Sequence, residues 1–69
     1  MSWIEISSGN IARLGYEPFE KTVVVEYRNG KRTEFLGVER HEYTNLAMSD
    51  DIQKHLDLNF TKFEKKIFI

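Results

Sequence analysis

The chain has 69 residues, no cysteine, one proline and four glycines, so it is long enough for a single domain over residues 1–69. Its 41% apolar and 30% charged residues are typical of a globular protein and exclude a disordered chain. Without cysteine, neither a disulfide nor a cysteine-based metal site is available to stabilise so small a fold. The formal net charge of −1 excludes the strong basic field that many nucleic-acid-binding proteins carry.

The N-terminal residues contain neither the basic nor the apolar segment of a secretory signal. The longest apolar run inside the chain, residues 23–25, is far too short to span a membrane. We therefore expect a cytoplasmic protein, and the lack of cysteine agrees with a reducing compartment.

The first half of the chain has the period-two pattern of β-strands. Residues 3–6 predict a short edge strand, and residues 10–16 predict a second strand with a bulge at Gly15. Pro18 then predicts a turn, because its ring fixes the φ angle and its nitrogen cannot donate a hydrogen bond within a sheet.

A β-hairpin over residues 22–38 is the clearest local prediction. Its strands are rich in β-branched residues, and Asn29-Gly30 between them is the pair that a two-residue type I′ turn prefers. A loop of this type pairs Val24 with Phe35. The side chains are apolar near the open end and charged near the turn, which indicates a buried base and a tip that projects into water.

Two helices are predicted after the hairpin. The first covers residues 39–48, and Ser49 predicts the N-cap of the second. The second helix has an apolar stripe at helical spacing: Ile52, Leu56, Phe60, Phe63 and Ile67. Its far boundary stays open, because Leu58 and Asn59 can interrupt the helix and residues 67–69 can form an extended tail.

The order of these elements defines the fold class. Strands that precede helices predict an α+β fold, with a small antiparallel sheet whose central hairpin lies at residues 22–38. We expect this meander to be followed by two helices that pack on one face of the sheet. A domain of this size has a thin core, so its stability depends on dense packing or on a partner.

Several short motifs follow one another in an order that is typical of a known family. They are Ser7-Ser8, Asn10-Ile11, Leu14-Gly15-Tyr16, the strand from Thr22 to Tyr27, Asn29-Gly30, Phe35, Val38, Tyr43, Leu46, Ala47 and Ser49. In order and spacing this set, which covers about residues 7–57, resembles the KTSC domain. That family is named for the C-terminus of some lysyl-tRNA synthetases, and it also occurs as short bacterial and phage proteins. The resemblance implies an accessory factor of unknown activity, and the synthetase association suggests RNA as a ligand.

Three positions depart from the family pattern. A Y-x-Y motif is replaced by Thr33-Glu34-Phe35, so one aromatic is lost, and the proline after Val38 is replaced by Glu39. The closing Y-F-N segment is matched only loosely by residues 55–57.

The candidate catalytic and metal-binding residues favour structural roles. His41-Glu42 resembles the start of a zinc-protease helix, but the second histidine that would complete the ligand pair is Asn45. His55 lies one helical turn after Asp51, yet no nucleophile is paired with it. Residues 7–9 favour a turn rather than a phosphate loop. We therefore expect no enzyme activity, no catalytic residue, no metal and no cofactor.

Two sets of residues are candidates for an interaction surface. Three aromatics lie near chain ends or turns, where full burial is difficult, and predict a protein partner or a homo-oligomer: Trp3, Phe19 and Phe68. The alternative is an RNA-binding module that uses the hairpin tip and a second basic group: Tyr27, Arg28, Lys31 and Arg32, with Lys62, Lys65 and Lys66. Because acidic residues lie near the tip and the net charge is negative, the sequence favours a small non-catalytic module that binds protein.

Overall fold

The computed structural model describes residues 2–7 and 9–68. Ser8 of the predicted turn and Ile69 of the predicted tail lie outside the described residues. The elements, in chain order, are β1 (Ser2–Glu5), β2 (Ile11–Glu17), β3 (Thr22–Tyr27), β4 (Arg32–Leu36), α1 (Arg40–Ala47), α2 (Ile52–Asn59) and β5 (Glu64–Phe68).

The strands form one five-stranded sheet in the order β1-β2-β3-β4-β5, and every neighbouring pair is antiparallel. Both helices follow β4 along the chain, and their buried residues join those of the strands in a single core. The predicted α+β meander with two helices on one face is therefore confirmed. The fifth strand was not predicted.

The predicted register of the β3–β4 hairpin is wrong by one residue. Val24 lies opposite Glu34, not opposite Phe35. The Tyr27 N–H donates to the Lys31 carbonyl at 2.9 Å, so the loop has three residues and Gly30 takes a φ of +90° in it. Because a slip of one residue exchanges the two faces of a strand, this register decides which side chains enter the core.

The second helix ends earlier than its apolar stripe indicates. The chain leaves the helix after Asn59, and β5 then pairs along β4. The N-cap is also two residues later than predicted, since the Asp51 carboxylate, not Ser49, accepts the Lys54 N–H at 3.1 Å. Pairing with β5 satisfies the backbone groups of β4, which a continued helix would leave exposed at a sheet edge.

The core lies between the helices and one face of the sheet. Its fully buried side chains include Leu14, Val23 and Val25 from the sheet and Leu46 and Phe60 from the helical side. The irregularity in β2 falls between Ile11 and Arg13 rather than at Gly15, so the predicted bulge position is wrong. The bulge turns Ile11 into the core while Arg13 stays on the other face of the sheet.

Candidate functional site

The sheet face opposite the helices, which we call the open face, carries a row of alternating charges across the strands. In register order this row is Glu5, Arg13, Glu26 and Arg32. Arg13 Nε donates to Glu26 Oε1 at 2.7 Å, and this hydrogen bond raises the pKa of Arg13. Arg32 Nη2 lies 3.1 Å from Glu34 Oε2. The arginines of the open face are therefore paired with carboxylates of the same face.

The three aromatics predicted as a partner surface are not brought together. Trp3 is half-buried on β1, with the Arg13 guanidinium 4.1 Å from its ring centroid. Phe68 is 41% exposed on β5, at the opposite edge of the sheet, and lies 5.1 Å from the Arg32 guanidinium. Phe19 is 95% exposed in the β2–β3 turn. Trp3 and Phe68 thus lie on the open face at opposite edges of the sheet, and Phe19 lies apart from both in a turn.

Arg28, at the hairpin tip, is engaged with the neighbouring loop. Its Nε donates to the Gly9 carbonyl at 2.9 Å, and its Nη2 donates to the Ile6 carbonyl. Its backbone N–H also donates to the Asn10 carbonyl at 2.8 Å. The guanidinium, although exposed, therefore joins the β3–β4 tip to the β1–β2 connection.

Replacing Arg28 by Ala should loosen this connection and lower the free energy of unfolding by about 1 kcal/mol, since both side-chain bonds are solvent-exposed. Arg28→Lys should recover part of the loss, because an ammonium cannot reach two carbonyls in the fork geometry of a guanidinium. Urea unfolding of the three proteins measures the effect. Equal stability of all three would show that the contacts contribute nothing.

The remaining predicted basic residues are divided among several surfaces. Lys62 lies in the α2–β5 loop, where its ammonium is 3.2 Å from Glu42 of α1. Arg32 is on the open face, whereas Lys65 and Lys66 alternate between the two faces of β5. Lys31 is exposed at the tip. The three C-terminal lysines do not cluster on a helix, because Lys62 lies in a loop and Lys65 and Lys66 lie on β5.

The β5 strand is an open edge of the sheet. It pairs with β4 on one side, and within the described residues no strand pairs with its other side. Every residue of β5 is exposed, and Ile67 is 61% exposed although it lies on the helix side of the sheet, opposite Thr33. The helices therefore leave the β5 end of their own face uncovered.

A cleft of about 250 Å³ lies between α2 and strands β3 to β5. Its apolar lining comprises Phe35, Leu56, Phe60 and Phe63. Its polar lining comprises Tyr27, Thr33, Gln53, Asp57, Thr61 and Lys65. Sequence reasoning placed Tyr27 and Lys65 on an RNA surface and missed the other polar members. Gln53 and Asp57 are spaced so that they share one face of α2, and this spacing was the signal in the sequence that could have identified them.

The polar groups of the cleft are linked to one another. Gln53 Nε2 donates to Asp57 Oδ1 at 3.0 Å, which holds the carboxylate in place. Burial raises the pKa of Tyr27, and the nearby charge of Asp57 adds to that effect, while a hydrogen bond with Thr33 opposes it. Tyr27, Thr33 and Asp57 thus contribute polar groups to one cleft from three different elements.

The two histidines occupy different environments. His41 is exposed on α1, whereas His55 is half-buried with its ring edge-on to Phe60 at 6.0 Å. Among the described residues, no three or more His, Cys, Asp or Glu side chains are grouped closely enough to hold a metal ion. In the same part of the chain, no helix is long and apolar enough to cross a membrane.

Comparison with known proteins places the fold in a family. The sequence profile of the KTSC domain matches residues 7–62. The structure is similar to the crystal structure of a KTSC domain protein from Yersinia pestis, with a TM-score of 0.82, 23% identity, and coverage of 99% of this chain and 96% of that one. Among curated protein sequences, none matches this chain. Because the profile spans most of the sequence and the folds agree, this chain belongs to the KTSC domain family.

Proposed function

We propose that this chain is a small non-catalytic interaction module that acts in the cytoplasm and binds a protein partner along β5. The observation that carries the proposal is the open edge at Glu64–Phe68, where every residue is exposed. Unpaired backbone groups at such an edge can accept an extended segment of another protein as an additional strand. Side chains on alternate faces then supply specificity.

The side chains of β5 indicate the chemistry of the added strand. Ile67 on the helix side and Phe68 on the open face offer apolar contact area on both sides of the edge. Lys65 and Lys66 precede them, with Glu64 as the single acidic residue of the strand. An extended segment that combines acidic and apolar residues is complementary to this pattern. Antiparallel pairing of two copies of β5 would bring their lysines together, which disfavours self-association through this edge.

The alternative, RNA binding, has less support from the arrangement of charges. Arg28 is bonded to backbone carbonyls, and Arg32 and Lys62 are each within salt-bridge distance of a glutamate. The lysines that remain lie on separate surfaces, so they do not form a continuous track for a phosphate backbone. We therefore place RNA among the outcomes that the experiment must distinguish.

A pull-down with the tagged chain from a bacterial lysate tests the proposal. We expect a discrete protein partner that stays bound after nuclease treatment and is lost with the double change Ile67→Ser and Phe68→Ser. Met48→Ser is the matched control, because Met48 is 77% exposed on the helical side and away from the edge. Capture that survives the β5 double change, or that nuclease abolishes, would contradict the proposal.

A charge reversal tests the acidic nature of the partner. Lys66→Glu should weaken capture and make the remaining binding less dependent on salt, because it removes attraction at the edge. Lys54→Glu changes the net charge equally but lies on α2. If both variants weaken capture to the same extent, overall charge rather than the edge is responsible.

A further inference from the structure

We propose that the cleft between α2 and strands β3 to β5 binds a free α-amino acid with an apolar or aromatic side chain. This inference goes beyond partner binding at the β5 edge and does not depend on it. The lining combines a mainly aromatic floor with one carboxylate and one ammonium group, which are the groups needed to recognise a small zwitterion.

The floor of the cleft is apolar and mostly buried. Phe60 is 1% exposed, and its ring meets Phe35 edge-on at 5.3 Å and Phe63 edge-on at 5.0 Å. Leu56 completes this floor from α2. Phe63, which is half-buried, is the ring of this floor that an aliphatic or aromatic side chain can contact.

Three oxygen-bearing side chains from three elements point to an ammonium ligand. Asp57 from α2 accepts a hydrogen bond from Gln53, and Tyr27 from β3 and Thr33 from β4 line the same cleft. An ammonium group has three donors and no acceptor, so a carboxylate with neighbouring hydroxyls is a suitable set of partners.

Lys65 supplies the opposite charge. It lines the same cleft as Asp57, yet the two side chains do not form an ion pair with each other in the described part of the chain. Neither side chain has an ion-pair partner among the described residues, and a ligand carboxylate next to the ammonium group would pair with Lys65.

The volume limits the size of the ligand. At about 250 Å³ the cleft is smaller than the roughly 300–1,000 Å³ of sites that take drug-sized molecules. A small ligand such as an amino acid suits a space of this size.

Titration of the ¹⁵N-labelled chain with phenylalanine, followed by NMR, tests this site. We expect saturable shifts at Leu56, Phe60 and Thr33. Phenethylamine, which lacks the carboxylate, and 3-phenylpropionate, which lacks the ammonium group, should each bind about tenfold more weakly, since one charged hydrogen bond is lost. Leucine in place of phenylalanine tests whether an aliphatic side chain is also accepted; failure of leucine alone would narrow the class to aromatic amino acids and overturn the wider claim.

Variants separate the site from non-specific adsorption. Asp57→Asn should lose the preference for ligands with an ammonium group, and Lys65→Gln the preference for ligands with a carboxylate. Asp50→Asn and Lys31→Gln change the same charges at exposed positions outside the cleft lining and should bind like the wild type. The inference is overturned if phenylalanine produces no shifts, if all three ligands bind equally, or if the control variants lose binding as the cleft variants do.

Discussion

Replacing Phe60 by Ala is expected to lower the free energy of unfolding by about 3–5 kcal/mol. Phe60 is 1% exposed and contacts Phe35, Phe63 and His55 through its ring. The substitution removes the largest fully buried side chain and leaves a cavity between α2 and the sheet. Native proteins have only about 0.05–0.15 kcal/mol of stability per residue, so in a domain this small the loss is a large fraction of the total.

Thermal unfolding followed by circular dichroism measures this loss. At about 4–8 °C per kcal/mol for a domain of this size, the melting temperature should fall by at least about 12 °C. Phe19→Ala is the matched control, because it removes the same atoms from a side chain that is 95% exposed, and it should change the free energy of unfolding by less than about 0.5 kcal/mol. Comparable losses in both variants would mean that Phe60 is not the centre of the core.

The Phe60 position also shows what the apolar pattern of the sequence could predict and what it could not. Ile52, Leu56, Phe60 and Phe63 recur at helical spacing, and all four contribute to the core or pack against it. Their burial was predictable, whereas the end of α2 at Asn59 was only one of the alternatives that the sequence left open. Phe60 and Phe63 follow the helix but still pack on its apolar side. The chain makes a turn there, in which the Phe63 N–H donates to the Phe60 carbonyl. Periodicity alone does not distinguish these conformations.

The β5 strand was missed for a related reason. Ile67 continues the stripe in the sequence, yet it is 61% exposed on a strand. The pairing of β5 with β4 depends on a partner some thirty positions earlier, a contact that no local pattern contains. The segment also lies beyond the residues that carry the family resemblance. The β5 edge, on which the proposed interaction depends, is thus the part of the fold that was predicted least well from the sequence.

The register of the β3–β4 hairpin was also not predictable from the local pattern, and the predicted register is wrong by one residue. Asn29-Gly30 correctly predicted a tight turn, but the same pair suits both a two-residue loop and a three-residue loop with Gly30 at positive φ. Burial of Phe35 beside Val23 and Val25 selects the three-residue loop. By contrast, the substitution of Glu39 for the family proline changes little, since its φ of −72° is an angle that proline also adopts.

Removing one hydroxyl group from each of two stacked tyrosines should change stability in opposite directions. Tyr16 and Tyr43 stack at 5.1 Å with their planes 14° apart. The Tyr16 hydroxyl donates to the buried Val38 carbonyl at 2.7 Å, whereas the buried Tyr43 hydroxyl has no hydrogen-bond partner among the described residues. Tyr16→Phe should therefore cost about 1–3 kcal/mol, because it leaves a buried carbonyl unpaired. Tyr43→Phe should be neutral or stabilising by about 1 kcal/mol, since it removes an unpaired polar group.

Urea unfolding at pH 7 gives both differences, and an alkaline series adds an independent test of Tyr43. Burial raises the pKa of Tyr43 in the folded chain, so the unfolded chain loses this proton first as the pH rises. The stability associated with Tyr43 is complete below a pH of about 10 and decreases from there to the higher pKa of the folded state. Tyr43→Phe should reduce the alkaline loss, whereas Tyr16→Phe should lower stability already at pH 7. A loss of stability in Tyr43→Phe at pH 7 similar to that in Tyr16→Phe would show that the Tyr43 hydroxyl is bonded in solution.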